Sequence, residues 1–333
     1  MQAVVLVGGF GTRLRPLTLS TPKQMLPVGN RPMIERVLEH LGAHGVDRAV
    51  LSLGYRPEGF QSAYPDNRCA GVELHYAVEP EPRDTAGAIR FAADDAGIDE
   101  RFLVVNGDVL TDLDIGVLVE HHERAGAEAT IALHRVEDPS AFGVVPTEPD
   151  GRVLAFIEKP PRDEAPTDLI NAGTYVLEPS VLARIEADVP VNVERVTFPA
   201  IVADGGLYAF DGDTYWIDAG IPTTYLAANL DLLNGRRGAP ESGIHPTADV
   251  AGSVSESWVG AGAQVAAGAE VHGSVLLPGA VVAAGARVRD SIVGPRAVVG
   301  EGASLLGGSI LGDDVELAPG ATLEAARLPE PAS

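Results

Sequence analysis

Apolar residues follow two different rhythms along this chain, and the change comes near residue 240. Residues 3–7 (AVVLV) form a short unbroken apolar run ending in glycines, as a strand buried in a parallel sheet does. Residues 49–53 and 102–105 repeat that run. Between them, residues 31–44 place Met33, Val37, Leu38 and Leu41 at helical spacing, and residues 86–96 and 115–124 also read as helices. Strands alternating with helices predict βαβ units: an α/β, Rossmann-like, mainly parallel sheet flanked by helices. From 129 to 177 the pattern changes to strands and turns, with EPDG at 148–151. An antiparallel portion is expected there, which makes the sheet mixed. Helical patterns return at 193–203 and 223–233.

NGRRGAPESG at 234–243 reads as a linker, and beyond it aliphatic residues recur every six positions. The triplets are Val259, Val265, Val271; Leu276, Val282, Val288; Val293, Val299, Leu305; and Leu311, Leu317, Leu323. Their starts are 17, 17 and 18 residues apart, and small residues stand beside each aliphatic. This is a hexapeptide repeat, with three short strands per turn of a left-handed parallel β-helix. A low-complexity linker would not hold such a register. The boundaries expected are a first domain at 1–235, a linker at 236–243 and the β-helix at 244–333.

Length agrees with two domains, since 333 residues is about twice a common domain. A formal charge of −23 argues against nucleic acid and anionic membranes, which select basic surfaces. No run reaches the ~18–20 apolar residues that span a bilayer. MQAVVLVGG has no charged leader region, so a cytoplasmic protein is expected. Cys69 is the single cysteine, read as small and at least partly buried, which leaves no disulfide framework. His121–His122, at a polar helix end, reads as solvent-exposed.

Local charge runs the other way. Residues 1–34 contain no acidic side chain, yet hold Arg13, Arg15, Lys23 and Arg31. The whole chain has two lysines, Lys23 and Lys159, where a compact ammonium replaces the planar fork of arginine. Screening beyond roughly 8 Å lets such a patch bind an anion inside an acidic protein. GGFGTRLRP at 8–16 is no Walker A loop, because the lysine lies twelve residues beyond Gly11. It also fails the dinucleotide pattern, with Leu14 where the third glycine should stand. What remains is a loop whose glycines let backbone N–H groups approach an anion, with Arg13 adding charge. An ordinary strand-to-helix turn is the competing reading.

The stretch VGGFGTRLRPLT…PKQMLPV resembles the signature of sugar-1-phosphate nucleotidyltransferases, the nucleotide-sugar pyrophosphorylases. DTAGA at 84–88, NGD at 106–108, FGVV at 142–145, EKP at 158–160, NAG at 171–173 and YWIDAG at 215–220 follow in the family's order. Within it the chain is most similar to mannose-1-phosphate guanylyltransferases, through NGDVLTDLD, EDPSAFGVV and INAGTYVLE. The resemblance implies attack of a sugar phosphate oxygen on the α-phosphorus of a nucleoside triphosphate, GTP favoured, with mannose-1-phosphate as acceptor.

It also implies roles for residues. Arg13 would grip the triphosphate, Lys23 would contact phosphate across the forming bond, and Asp108 and Asp218 would hold Mg²⁺. Gly8, Gly9, Gly11, Thr12, Thr85, Ala86, Gly87 and Asp108 would line the nucleotide. Gly143, Glu158, Lys159 and Asn171 would hold the sugar phosphate. Three places depart from the pattern. Arg83–Asp84 stands where guanylyltransferases commonly show Leu-Gly, and Gln24–Met25 resembles thymidylyl- or uridylyltransferases. In NVERVTFP, Glu194 matches, but Val196 replaces a second glutamate.

Two alternatives compete within and outside this class. One is a thymidylyl- or uridylyltransferase acting on glucose-1-phosphate or a sugar-like cyclitol phosphate. The other is a catalytically silent, nucleotide-sugar-binding regulatory subunit, which should have lost the phosphate and metal residues kept here. Acyl transfer by the β-helix is disfavoured, since no lysine follows residue 244 and only His245 and His272 offer a base. The tail is expected to serve homo-oligomerisation or regulation, so that truncation after residue 238 changes assembly more than chemistry.

Overall fold

The unbroken apolar runs become the central strands of a ten-stranded sheet. In chain order its strands are β1 (Gln2–Leu6), β2 (Arg48–Leu53), β3 (Arg68–Cys69), β4 (Val72–Val78) and β5 (Phe102–Asn106). They continue with β6 (Ala129–Arg135), β7 (Gly143–Val144), β8 (Ile157–Glu158), β9 (Leu169–Leu177) and β10 (Leu207–Asp211). The computed structural model describes residues 1–54 and 57–330. It divides into one unit of Met1–Gly9 with Glu35–Trp216, and a second of Phe10–Ile34 with the chain from Ile217 onward.

The sheet belongs to the first unit. β1 lies parallel to β2 and β5, and β2 lies parallel to β4. Helix Asp84–Ala96 covers them, burying Ala86, Ile89, Ala92 and Ala93 with Val4, Val50 and Val104. The expected antiparallel portion is built on β9, which runs antiparallel to β5, β6 and β7, while β7 pairs antiparallel with β8. EPDG closes a turn in which the Gly151 N–H donates to the Glu148 carbonyl at 2.9 Å.

The helical pattern at 193–203 is realised in two parts: a π-turn, Val193–Thr197, leads into helix Phe198–Ala203, because Pro199 has no N–H to continue the ladder. One local expectation needs correction. His122 is not exposed but 1% accessible. Its ring nitrogens meet Thr130 Oγ1 at 2.8 Å and Glu178 Oε1 at 3.1 Å, and burial pushes its pKa below the usual histidine range. Polar neighbours in sequence hid a polar network under the helix. Cys69 is half-buried, as read.

In the second unit every aliphatic triplet becomes three short strands of a left-handed β-helix, stacked in three parallel five-stranded sheets. Residues 331–333 of the expected domain lie outside the described residues. The spacing of 18 has a visible cause. Gly307 and Gly308 both take left-handed backbone (φ 64 and 79), absorbing one extra residue at the corner.

Serines at 257, 274, 291 and 309 are buried at that same corner, and the first three form a hydrogen-bonded ladder. Ser274 N–H donates to Ser257 Oγ at 3.0 Å, and Ser291 N–H to Ser274 Oγ at 3.1 Å. Each hydroxyl in turn donates to a carbonyl of its own coil, as Ser274 does to His272 at 2.7 Å. Ser274→Ala leaves the buried Ser291 amide unpartnered, so a loss of about 1–3 kcal/mol is expected. A shifted urea midpoint at constant slope checks this, and an unmoved midpoint contradicts it.

Candidate functional site

In the first unit, adjacent parallel strands bring two expected segments to one sheet edge. Leu6 and Asn106 are register partners at the ends of β1 and β5, and the Gly107 N–H donates to the Leu6 carbonyl at 2.9 Å. Exposed Gly8 and Gly9 follow β1, and half-buried Asp108 follows β5. This is the edge at which parallel sheets present ligands.

The antiparallel strands collect the sugar-phosphate candidates. Gly143 and Glu158 are register partners across β7 and β8. A Cβ on Gly143 would run into the Phe156 ring, so only glycine fits. Lys159 Nζ lies 3.1 Å from Glu158 Oε1 while the lysine side chain stays largely exposed. Asn171 Nδ2 donates to Tyr175 Oη at 2.9 Å and to Glu194 Oε1 at 3.2 Å. Its own Oδ1 accepts from the Gly173 N–H at 3.0 Å, so the amide is oriented from both ends. The Trp216 indole donates to the Ala172 carbonyl at 2.9 Å, and its ring stacks near His134 and meets Phe142 edge-on.

Glu194 and Tyr175 join this cluster although neither carried an assigned role. The π-turn presents Glu194, and Asn192 fixes the turn by accepting from the amides of Glu194 and Arg195 at 3.1 and 2.9 Å. Burial, then the Glu158 charge, raises the Glu194 pKa above the usual glutamate range, against the lowering pull of Lys159 and Asn171. The sign follows. The fold favours the neutral carboxyl, so this stabilisation is present below the ordinary glutamate pKa and lost as pH rises through the raised one. Glu194→Gln should therefore raise Tm relative to the parent near neutrality, with a smaller gain toward acid. Equal gains at both ends of that range contradict the assignment.

The DTAGA segment makes a structural contribution that its motif did not reveal. The Ala86 and Gly87 N–H groups donate to the Val191 carbonyl at 2.8 and 3.1 Å, and Thr85 Oγ1 accepts from the Val193 N–H at 2.8 Å. A Cβ on Gly87 would sit 2.8 Å from the Val189 carbonyl. These groups thus seat the segment that carries Glu194. The Arg83–Asp84 departure also acquires a physical reason. Asp84 occupies left-handed backbone (φ 57), which glycine adopts freely and aspartate tolerates. Its Oδ1 accepts from Thr85 N–H at 2.7 Å and Asn192 Nδ2 at 3.0 Å. Arg83 pairs with Asp188 at 2.6 Å and lies over the Phe91 ring. Val196, at the position of the missing glutamate, is exposed.

In the second unit the basic loop is not a helix start but a chain of three 3-10 turns, Thr12–Leu14, Leu17–Leu19 and Lys23–Met25. Gly11, at φ 59, opens the first, and a Cβ there would sit 3.3 Å from the Lys23 Cβ. Gly11 and Lys23 are therefore neighbours. Thr18 Oγ1 donates to the Gly11 carbonyl at 2.8 Å. Leu14 and Leu17 point inward, fully buried, while Thr12 and Arg13 face solvent. Asp218 is half-buried, and its Oδ1 accepts from the Gly220 N–H at 2.7 Å.

Mg²⁺ takes hard oxygen ligands, commonly one or two carboxylates with substrate phosphates completing the shell. Asp108 and Asp218 offer that donor chemistry, and the Gly220 bond holds the Asp218 carboxylate in one orientation. Among the described residues no group of three or more His, Cys, Asp or Glu forms an all-protein cage. Nor, among them, is any helix long and apolar enough to cross a membrane.

Known proteins share this layout. Residues 2–235 match the family model described as Nucleotidyl transferase, and residues 239–330 match that of the GMPPB C-terminal domain. The chain is 39% identical over 288 residues to Mannose-1-phosphate guanylyltransferase of Mycobacterium tuberculosis, covering 83% of this chain and 79% of the relative. With Mannose-1-phosphate guanyltransferase of Emericella nidulans it shares 44% identity over 237 residues, covering 70% of this chain but only 64% of that relative. Among solved structures, HddC from Yersinia pseudotuberculosis complexed with GMP-PN superposes with a TM-score of 0.60 at 29% identity, covering 68% of this chain and 97% of that one.

Proposed function

We propose that this chain, which belongs to the nucleotidyl transferase family, joins a nucleoside triphosphate to a sugar-1-phosphate and releases pyrophosphate. A phosphate oxygen of the sugar attacks the α-phosphorus in line. The bond from that phosphorus to the bridging oxygen breaks, and its electron pair leaves with pyrophosphate. Such a transfer depends on positioning and charge neutralisation more than on covalent participation.

The observation that carries the reading is the cluster of Glu158, Lys159, Asn171 and Glu194. It sets an exposed ammonium beside an oriented amide and two carboxylates. Hydroxyl groups of a sugar suit the amide and carboxylates, and its phosphate suits the ammonium. Arg13 and Lys23 serve the triphosphate, with Gly8, Gly9 and Gly11 leaving room for the approach of backbone to phosphate. Asp108 and Asp218 would hold Mg²⁺, which when bound neutralises phosphate charge and favours a leaving pyrophosphate. Relatives named for mannose-1-phosphate and guanylyl transfer support GTP and mannose-1-phosphate as the substrates. The same reading includes cytoplasmic action and homo-oligomerisation through the β-helix.

Pyrophosphate release with Mg²⁺, across the common nucleoside triphosphates and a panel of sugar-1-phosphates, tests it. GTP with mannose-1-phosphate should give the highest kcat/KM. Turnover only with dTTP or UTP would overturn the guanylyl assignment, and no turnover with any pair would overturn the enzymatic reading.

A further inference from the structure

The last coil of the β-helix touches the basic loop at three points, although some 300 residues separate them in the chain. Arg327 Nη1 donates to the carbonyl of Arg13 at 3.0 Å and to that of Arg15 at 2.9 Å. Gly312 leaves room for the Pro16 ring, whose carbons would lie 3.0 and 3.1 Å from a Cβ there. Ser20 Oγ donates to the Asp313 carboxylate. The two carbonyls held by Arg327 flank Leu14, which is buried, so the backbone is fixed on both sides of an anchored side chain. A guanidinium suits this task, because its N–H groups leave a rigid plane at fixed angles.

We infer that Arg327 is a positioning residue for the basic loop: it sets the backbone from which Arg13 projects, and so couples the tip of the β-helix to nucleotide binding. The inference rests on the role proposed for Arg13. It also bears on the expectation that truncation after residue 238 changes assembly more than chemistry, because the cut removes all three contacts.

Arg327→Ala should raise KM for the nucleoside triphosphate about 10- to 100-fold, the scale on which misplaced groups act, while KM for the sugar phosphate stays within twofold. Millimolar guanidinium should restore part of the loss, a rescue that a merely destabilised fold would not show. Arg289→Ala is the control from the same tail, since Arg289 pairs with Glu270, away from the loop contacts. Gly312→Val approaches the loop from the Pro16 side and should reproduce the split. Amide exchange in residues 11–19 should accelerate in Arg327→Ala and not in Arg289→Ala, whether or not the parent turns over. Unchanged exchange there, or both KM values rising together without rescue, overturns the inference. Accelerated exchange in a protein whose parent has no turnover instead supports the positioning role and sinks the functional reading.

Discussion

Asp108→Asn and Asp218→Asn should each lower turnover by about 10²- to 10³-fold, the usual cost of removing one group that stabilises charge in a transition state, while cooperative thermal unfolding should persist. The change removes a charge and keeps the shape. Asp108 sits in the turn after β5, at the ligand-presenting edge of the sheet, and Asp218 is oriented by the Gly220 N–H. Neither residue is part of the apolar core, so folding has little reason to notice the amide. Higher Mg²⁺ should recover part of the activity in each variant. Near-parental turnover in both would remove them from the metal site.

Lys159→Ala should raise KM for the sugar phosphate about 10- to 100-fold, the equivalent of one charge-assisted hydrogen bond of ~1.5–3 kcal/mol. KM for the nucleoside triphosphate should stay near the parental value. The backbone shapes the choice of a second variant. Lys159 occupies left-handed conformation (φ 49), where a residue with a long side chain carries strain of about 1–3 kcal/mol. Lys159→Asn, which tolerates this backbone, should lose affinity equally and melt no lower than the parent. An unchanged sugar-phosphate KM in both variants would mean that Lys159 does not hold the phosphate.

Periodicity made most of the fold legible. Buried runs such as residues 3–7 and 102–105 have one solution in an α/β sheet, and the six-residue repeat admits little besides a β-helix. The corner serines were present in the same register, at 257, 274, 291 and 309. Polar residues inside an aliphatic repeat read as surface, so their burial became visible only with the hydrogen bonds. His122 was missed for the same reason, because Thr130 and Glu178 come from other elements.

The candidate site divides similarly. Motifs located Glu158, Lys159 and Asn171, but the join between Asn171 and Glu194 depends on how the π-turn meets β9. Gly87 was read as a nucleotide contact, and its lack of a side chain also lets the 189–191 backbone approach, which no motif announced. The hold of Arg327 on residues 13 and 15 left no local trace at all, since nothing near either segment in sequence refers to the other.

The fate of labelled phosphorus distinguishes nucleotidyl transfer from any other transfer between these substrates. With the α-phosphate of GTP labelled and mannose-1-phosphate present, the label should pass wholly into the nucleotide sugar. With the γ-phosphate labelled, it should leave wholly as pyrophosphate. Label from the γ-position on the sugar product, or α-label found only in free nucleotide, would contradict nucleotidyl transfer.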